Sequence, residues 1–233
     1  MAAVDGRPLM DDGDREGAEQ VWAIVLAAGT GMRFGGVKQF TSLDGRRLVD
    51  VVVDTAVSVC DEVVVVLPAG VEWEGSPVAA VAEGGPTREA SVRCGLAAVP
   101  PTVGLIVIHD AAHPLASPQL FEAVIAAVRT GAGIDGAVPG LPLAETLKRV
   151  DGGRSVANVP RGDLVMVQTP HAFRAEALRT AHRRGGDATD DSVLVEVAGG
   201  TVVVVPGDPG NIHVTTPDDL EMARRLATPR SAL

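Results

Sequence analysis

The sequence predicts an α/β protein built on a Rossmann-like, mainly parallel sheet. Three observations carry this. Short, continuously apolar, β-branched runs recur along the chain, the pattern of strands buried on both faces. Helical patterns lie between them, the order of βαβ units. A glycine-rich loop directly follows the first run, and sheets of this kind bind ligands beyond the carboxyl ends of their strands.

Residues 1–20 carry Asp5, Asp11, Asp12, Asp14, Glu16 and Glu19 without an apolar period. They read as a disordered tail, which leaves 21–233 as one domain. Its first strand is Val21–Leu26, followed by the glycine loop and a helix over Leu48–Val59. A strand at 63–67 precedes a helix over Arg88–Ala98, and a strand at 105–108 precedes one over 118–129. Helices at 174–183 and 190–198, a strand at 202–205 and a helix over Pro217–Ala227 complete the series. Thr216 as N-cap with Pro217 as first helical residue is a good start signal for the last. Residues 136–170 break the alternation. Two extended runs, 137–150 and 155–168, flank a hairpin signal at Asp151-Gly152-Gly153. This reads as a β-arm over about 138–170 projecting from the body. A projecting arm cannot bury its own faces, so a homodimer is expected.

Charge and composition remove several function classes. Net charge is −10, whereas a nucleic-acid binder would show a basic patch or stripe. Cys60 and Cys94 lack metal-site spacing and read as reduced core thiols of a cytoplasmic protein. No apolar run is long enough to cross a bilayer and the N-terminus lacks a signal-peptide pattern, so no membrane partner is expected.

Of the 20 basic residues only Lys38 and Lys148 are lysine. Lys38 ends the loop that opens Ala27-Ala28-Gly29-Thr30-Gly31-Met32-Arg33-Phe34. Glycines let a backbone approach an anion, and successive N–H groups cradle phosphate. Arg33 and Lys38 add full charge. The spacing is neither the dinucleotide fingerprint, since Phe34 takes the third glycine position, nor a P-loop, since Val37 precedes Lys38. A second glycine pair, Gly84-Gly85, leads into a helix start at Thr87 with Arg88 and Ser91 on one side of its first turn. Taken alone, that stretch fits a plain loop-to-helix connection equally well. Asp110, in His109-Asp110-Ala111-Ala112-His113, follows a strand, where a Mg²⁺-bound nucleotide needs a carboxylate. As a lone residue it could equally cap a turn. Further polar groups are Thr146, Lys148 and Arg161 in the arm, Thr189-Asp190-Asp191, and Asn211-Ile212-His213-Val214-Thr215.

In this order the stretches resemble the 2-C-methyl-D-erythritol 4-phosphate cytidylyltransferases of the non-mevalonate isoprenoid pathway. The family patterns A-A-G-x-G-x-R-[MF], G-G-x-x-R-x-x-S-V, H-D-A-A-R-P, D-T-[LMI]-K, Q-T-P-Q-x-F, T-D-[DE] and N-[IF]-K-[VI]-T are similar to segments beginning at Ala27, Gly84, His109, Glu145, Gln168, Thr189 and Asn211. The resemblance spans 21–227. It implies a nucleotidyltransferase domain, a homodimer built through the arms, and transfer of CMP from Mg²⁺–CTP to a polyol phosphate with release of pyrophosphate. Carried over residue by residue, Arg33 and Lys38 stabilise the transition state, and Asp110 sits by the metal. Ala27, Ala28, Gly29, Gly31, Gly85, Ser91 and Ala111 hold the nucleotide. Thr146, Arg161 and Thr189 hold the acceptor phosphate, Arg161 from the partner's arm. His113 and His213 stand where the family has Arg and Lys, facing the acceptor; His171 replaces a Gln, and Val37 a Pro. A His is a partial cation near neutrality and lacks the arginine fork. Ribitol 5-phosphate is the nearest alternative acceptor, and a CTP-binding homologue without turnover is the alternative of another class.

Overall fold

The computed structural model describes residues 19–29, 31, 34, 36–185 and 190–227. Most of the expected acidic tail, together with Arg33 and Thr189, lies outside them.

The chain runs β1 (Val21–Leu26), β2 (Ser42–Leu43), β3 (Arg46–Arg47), α1 (Leu48–Val59), β4 (Glu62–Leu67), β5 (Ala80–Glu83), α2 (Arg88–Ala98), β6 (Leu105–Asp110) and α3 (Pro118–Thr130). It continues through β7 (Gly136–Pro142), β8 (Leu147–Asp151), β9 (Arg154–Val159), β10 (Val165–Val167), β11 (His171–Arg174), α4 (Ala175–Arg184), α5 (Asp191–Val197), β12 (Val202–Pro206) and α6 (Pro217–Ala227). The main sheet has eight strands in the order β10-β7-β11-β6-β1-β4-β5, with β12 also pairing on β7. β5, β4, β1 and β6 are mutually parallel, and β11 pairs antiparallel with both β6 and β7.

The apolar runs of β1, β4 and β6 are continuous because each face of the sheet is covered. Ala23 and Val25 pack in one cluster with Val52, Val53 and Phe121, on the side of α1 and α3. Ile24 and Leu26 pack in the other with Val92, Leu178 and Leu194, from α2, α4 and α5. Alternating residues of one strand therefore feed two cores, as strand geometry requires. Thr87, the expected helix start, accepts from Ala90 N at 3.0 Å; Ser117 accepts from Leu120 N at 3.3 Å with Pro118 opening α3.

The extended stretch 138–170 is divided. Only β8 and β9 form a separate two-stranded sheet that stands off the body. β7 lies in the main sheet, with Gly136–Gly140 buried, and β10 pairs with its far end. The glycines explain how a Pro- and Gly-rich segment serves as a core strand. A Cβ at Gly136 would lie 2.6 Å from Phe173, and one at Gly140 2.6 Å from Val204. Neighbouring strands thus fill the space that side chains would take.

Candidate active site

β1 ends at a loop tied on both sides to its neighbours: Ala27 N donates to Val66 O at 2.8 Å, and Ala111 N to Leu26 O at 3.0 Å. Gly31 sits at φ +63°, and a Cβ there would come within 1.7 Å of the Gly36 carbonyl oxygen. Phe34 N and Gly36 N both donate to Gly31 O, closing the loop on itself. Only glycine fits this position. Buried Gln39 donates from Nε2 to Gly29 O at 2.9 Å and fixes the loop's other limb. Lys38 is held by donation from Nζ to Val214 O at 2.7 Å. That carbonyl is itself fixed, since Val214 N donates to Ala112 O at 2.8 Å.

The second glycine pair meets the first loop. A Cβ on Gly84 would lie 2.2 Å from the Ala28 Cβ, so the missing side chain lets two backbones line one wall. Ser91 Oγ accepts from Gly85 N at 3.2 Å and donates to Thr87 O at 2.9 Å. Between these loops and the end of β6 opens a cleft of about 530 Å³. Ala27, Ala28, Gly29, Gly31, Gly85 and Ser91 line one part of it, Asp110 and Ala111 the β6 end, and Lys38 and His213 also face it. Ten predicted positions, far apart in sequence, therefore meet in one place. Thr146 and Arg161 are exposed and outside this cleft of their own chain. His113 also does not line it. It is buried, with its ring stacked on His213 at 4.7 Å between centroids.

Charges in the cleft are arranged by Arg88. Its Nη1 donates to Asp191 Oδ2 at 2.7 Å, and its Nη2 lies 3.3 Å from Asp110 Oδ1. Burial opposes the Arg88 charge, but Asp110 and Asp191 raise its pKa above the ordinary value. Burial likewise pushes Asp110 upward, yet the Arg88 guanidinium and nearby histidines hold it below the usual carboxylate range. Asp191 is held at about 2: burial works against the charge, while the His182 hydrogen bond and Arg88 outweigh it. Asp110 and Asp191 are thus anions at neutral pH. Gln39, Arg88 and Asp191 shape the site although sequence alone assigns them no role: Arg88 stands out only by its place on the first turn beside Ser91, and Asp191 only as the end of the Thr189-Asp190-Asp191 stretch.

Behind Asp110 the Thr169 hydroxyl is a hub. It accepts from Asp110 N at 3.2 Å and lies 2.9 Å from His109 Nδ1 and 3.1 Å from His113 Nδ1. One hydroxyl has one proton to give. His109 Nε2 is buried without a partner, which favours a bare acceptor there and the proton on Nδ1. Thr169 then donates to His113 Nδ1, leaving the His113 proton on Nε2. Burial is the largest cause lowering both rings, His109 to about 4 and His113 to about 3. His113 is therefore neutral, not a cation, at physiological pH.

These depressed values make the fold sensitive to acid. In the unfolded chain both histidines titrate near 6.5. Their folded values are lower, so the unfolded state takes up protons first as pH falls. Their contribution is complete above about pH 6.5 and is lost as pH falls toward 4. Asp191, held near 2, acts only below its unfolded value of 3.8. The urea midpoint should fall steadily from pH 7 to pH 4.5, and His109→Gln should flatten that slope. A wild-type midpoint constant across this window would show that both rings charge without cost.

Comparison with known proteins decides what the cleft belongs to. The family model described as IspD, 2-C-methyl-D-erythritol 4-phosphate cytidylyltransferase, matches residues 21–228. The chain belongs to this family. A 2-C-methyl-D-erythritol 4-phosphate cytidylyltransferase of Nocardia farcinica is 41% identical over 96% of this chain and 100% of its own length. One of Deinococcus radiodurans is 42% identical over 88% of each chain. The crystal structure of the Thermus thermophilus enzyme of that name superposes with a TM-score of 0.77 at 36% identity, covering 89% of this chain and 98% of that one. The chain is thus a nucleotidyltransferase of isoprenoid synthesis that transfers the cytidylyl group of CTP to 2-C-methyl-D-erythritol 4-phosphate. The ribitol alternative is not favoured. Among the described residues no helix is long and apolar enough to cross a membrane.

Proposed function

We propose that the cleft binds Mg²⁺–CTP and that the acceptor phosphate attacks the α-phosphorus, with pyrophosphate leaving. The observation that carries this is an anchored cation, Lys38, and an anionic carboxylate, Asp110, lining one glycine-walled cleft at the strand ends. Transfer of this kind needs positioning and charge neutralisation more than covalent chemistry. Ala27, Ala28, Gly29, Gly31, Gly85, Ser91 and Ala111 hold the nucleotide, largely by backbone. Arg33 and Lys38 stabilise the charge that develops on the phosphates.

The residues fit Mg²⁺. The Asp110 side chain is anionic and 26% exposed, and no three His, Cys, Asp or Glu among the described residues form a metal cluster. A single carboxylate together with substrate phosphates is how Mg²⁺ is commonly held. The ion, when bound, neutralises the triphosphate. On the acceptor side, His213 replaces a permanent cation, and neutral His113 acts as its mount by stacking. Thr146 and Arg161 reach the acceptor from the arm of a second copy, and Thr189 is a further acceptor-phosphate residue. Exposed apolar residues support such a dimer: Val150 and Val156 on the arm and Val165, Met166 and Val167 on β10. The enzyme works in the cytoplasm.

Pyrophosphate release from CTP tests the reading, with methylerythritol phosphate and ribitol 5-phosphate offered separately, with and without Mg²⁺. Release is expected with the first acceptor and Mg²⁺ only. Turnover with ribitol 5-phosphate alone would overturn the acceptor, and CTP binding without any turnover would favour a binding module.

A further inference from the structure

Arg88 joins three elements. It opens α2, contacts Asp191 at the first position of α5, and leans toward Asp110 at the end of β6. The two contacts are unequal. The Asp191 contact is a direct hydrogen bond of 2.7 Å. The Asp110 contact is an ion pair at 3.3 Å, and Nη2 is buried without a hydrogen-bonded partner. Asp191 is fixed from behind: its Oδ1 is 2.9 Å from His182 Nε2 on α4, and the two side chains are 1% and 2% exposed. A buried carboxylate is costly unless paired and hydrogen-bonded. Here both oxygens are engaged, by an imidazole on one side and a guanidinium on the other.

We infer that Asp191, mounted by His182, is a positioning residue that holds Arg88 back from Asp110. This keeps the Asp110 carboxylate available to the metal of the bound nucleotide. An arginine between two carboxylates is drawn to both. Removing the charge of one lets the guanidinium close onto the other in the bidentate geometry that arginine favours. An Asp110 locked in that way competes with the cation for its own oxygens. The inference rests on the metal-facing role of Asp110 proposed above. A merely structural role for Asp191, sealing the start of α5, would change stability and leave metal affinity untouched.

The test measures Mn²⁺ binding by electron paramagnetic resonance to the full-length protein carrying a non-hydrolysable CTP analogue. Asp191→Asn is expected to weaken Mn²⁺ about fivefold or more, with metal-free binding of the analogue unchanged. In turnover the same factor should appear in the Mg²⁺ needed for half-maximal rate rather than in kcat. Removing both charges, in Arg88→Met with Asp191→Leu, should return Mn²⁺ affinity to the wild-type value or better. Unchanged Mn²⁺ affinity in Asp191→Asn overturns the inference. If that variant does not fold, the double variant decides, because it leaves neither buried charge unpaired; weaker Mn²⁺ binding there also overturns it. Asp110→Asn separates the two levels. If it leaves Mn²⁺ affinity intact, the metal-facing role falls and this inference with it. If it weakens Mn²⁺ while Asp191→Asn does not, only this inference falls.

Discussion

Lys38→Ala is expected to lower kcat about a hundred- to a thousandfold, the usual cost of removing one preorganised donor from developing transition-state charge. CTP affinity should fall far less. The reason lies in how the side chain is mounted. Nζ donates to Val214 O at 2.7 Å, and Val214 is fully buried and hydrogen-bonded to Ala112. The ammonium is therefore in place before substrate arrives and need not reorganise as charge develops. An interaction that strengthens only in the transition state appears in kcat, whereas uniform binding appears in KM. Steady-state rates together with calorimetric CTP binding distinguish the two. A kcat within a few-fold of wild type would make Lys38 a binding residue or a bystander.

The same mounting shows what the sequence could and could not reveal. The glycine loops were legible because key glycines answer a steric demand: a Cβ would come within 1.7 Å of the Gly36 carbonyl oxygen at Gly31, 2.2 Å of Ala28 at Gly84 and 2.4 Å of Ala90 at Gly85. Asp110 was legible because it closes the strand opened by the apolar run 105–108. β1, β4 and β6 were legible because they feed two cores at once. β7 was not: Pro139, Gly140 and Pro142 resemble an excursion, and its burial depends on Phe173 and Val204 filling glycine positions. β11 was hidden by its four-residue length and by His171, which is buried with neither ring nitrogen partnered. The Arg88–Asp191 pair spans 103 residues and Arg88's partner looked like an ordinary helix start. His113 was legible as polar but not as buried, because its cover is His213, a hundred positions on. Local chemistry reads out of sequence; pairings made by the tertiary fold do not.

Mixing two inactive proteins, Arg161→Ala and Lys38→Ala, is expected to restore activity. Arg161 and Thr146 are exposed and outside the cleft of their own chain, while Lys38 lines it. If the arm formed by β8 and β9 reaches a second copy, each site draws Lys38 from one chain and Arg161 from the other. A mixed dimer then has one site with both defects and one with neither. Random exchange in a symmetric dimer makes half the dimers mixed, so about a quarter of wild-type activity should return. The arm's exposed Val150 and Val156, 58% and 55% accessible, are the apolar surface a partner would cover. Denaturing and refolding the two proteins together, with differently tagged chains to verify mixing, makes the measurement. Activity that stays absent in verified mixed dimers would place Lys38 and Arg161 in the same subunit's site. A protein that runs as a monomer on sedimentation while fully active would remove the composite site altogether.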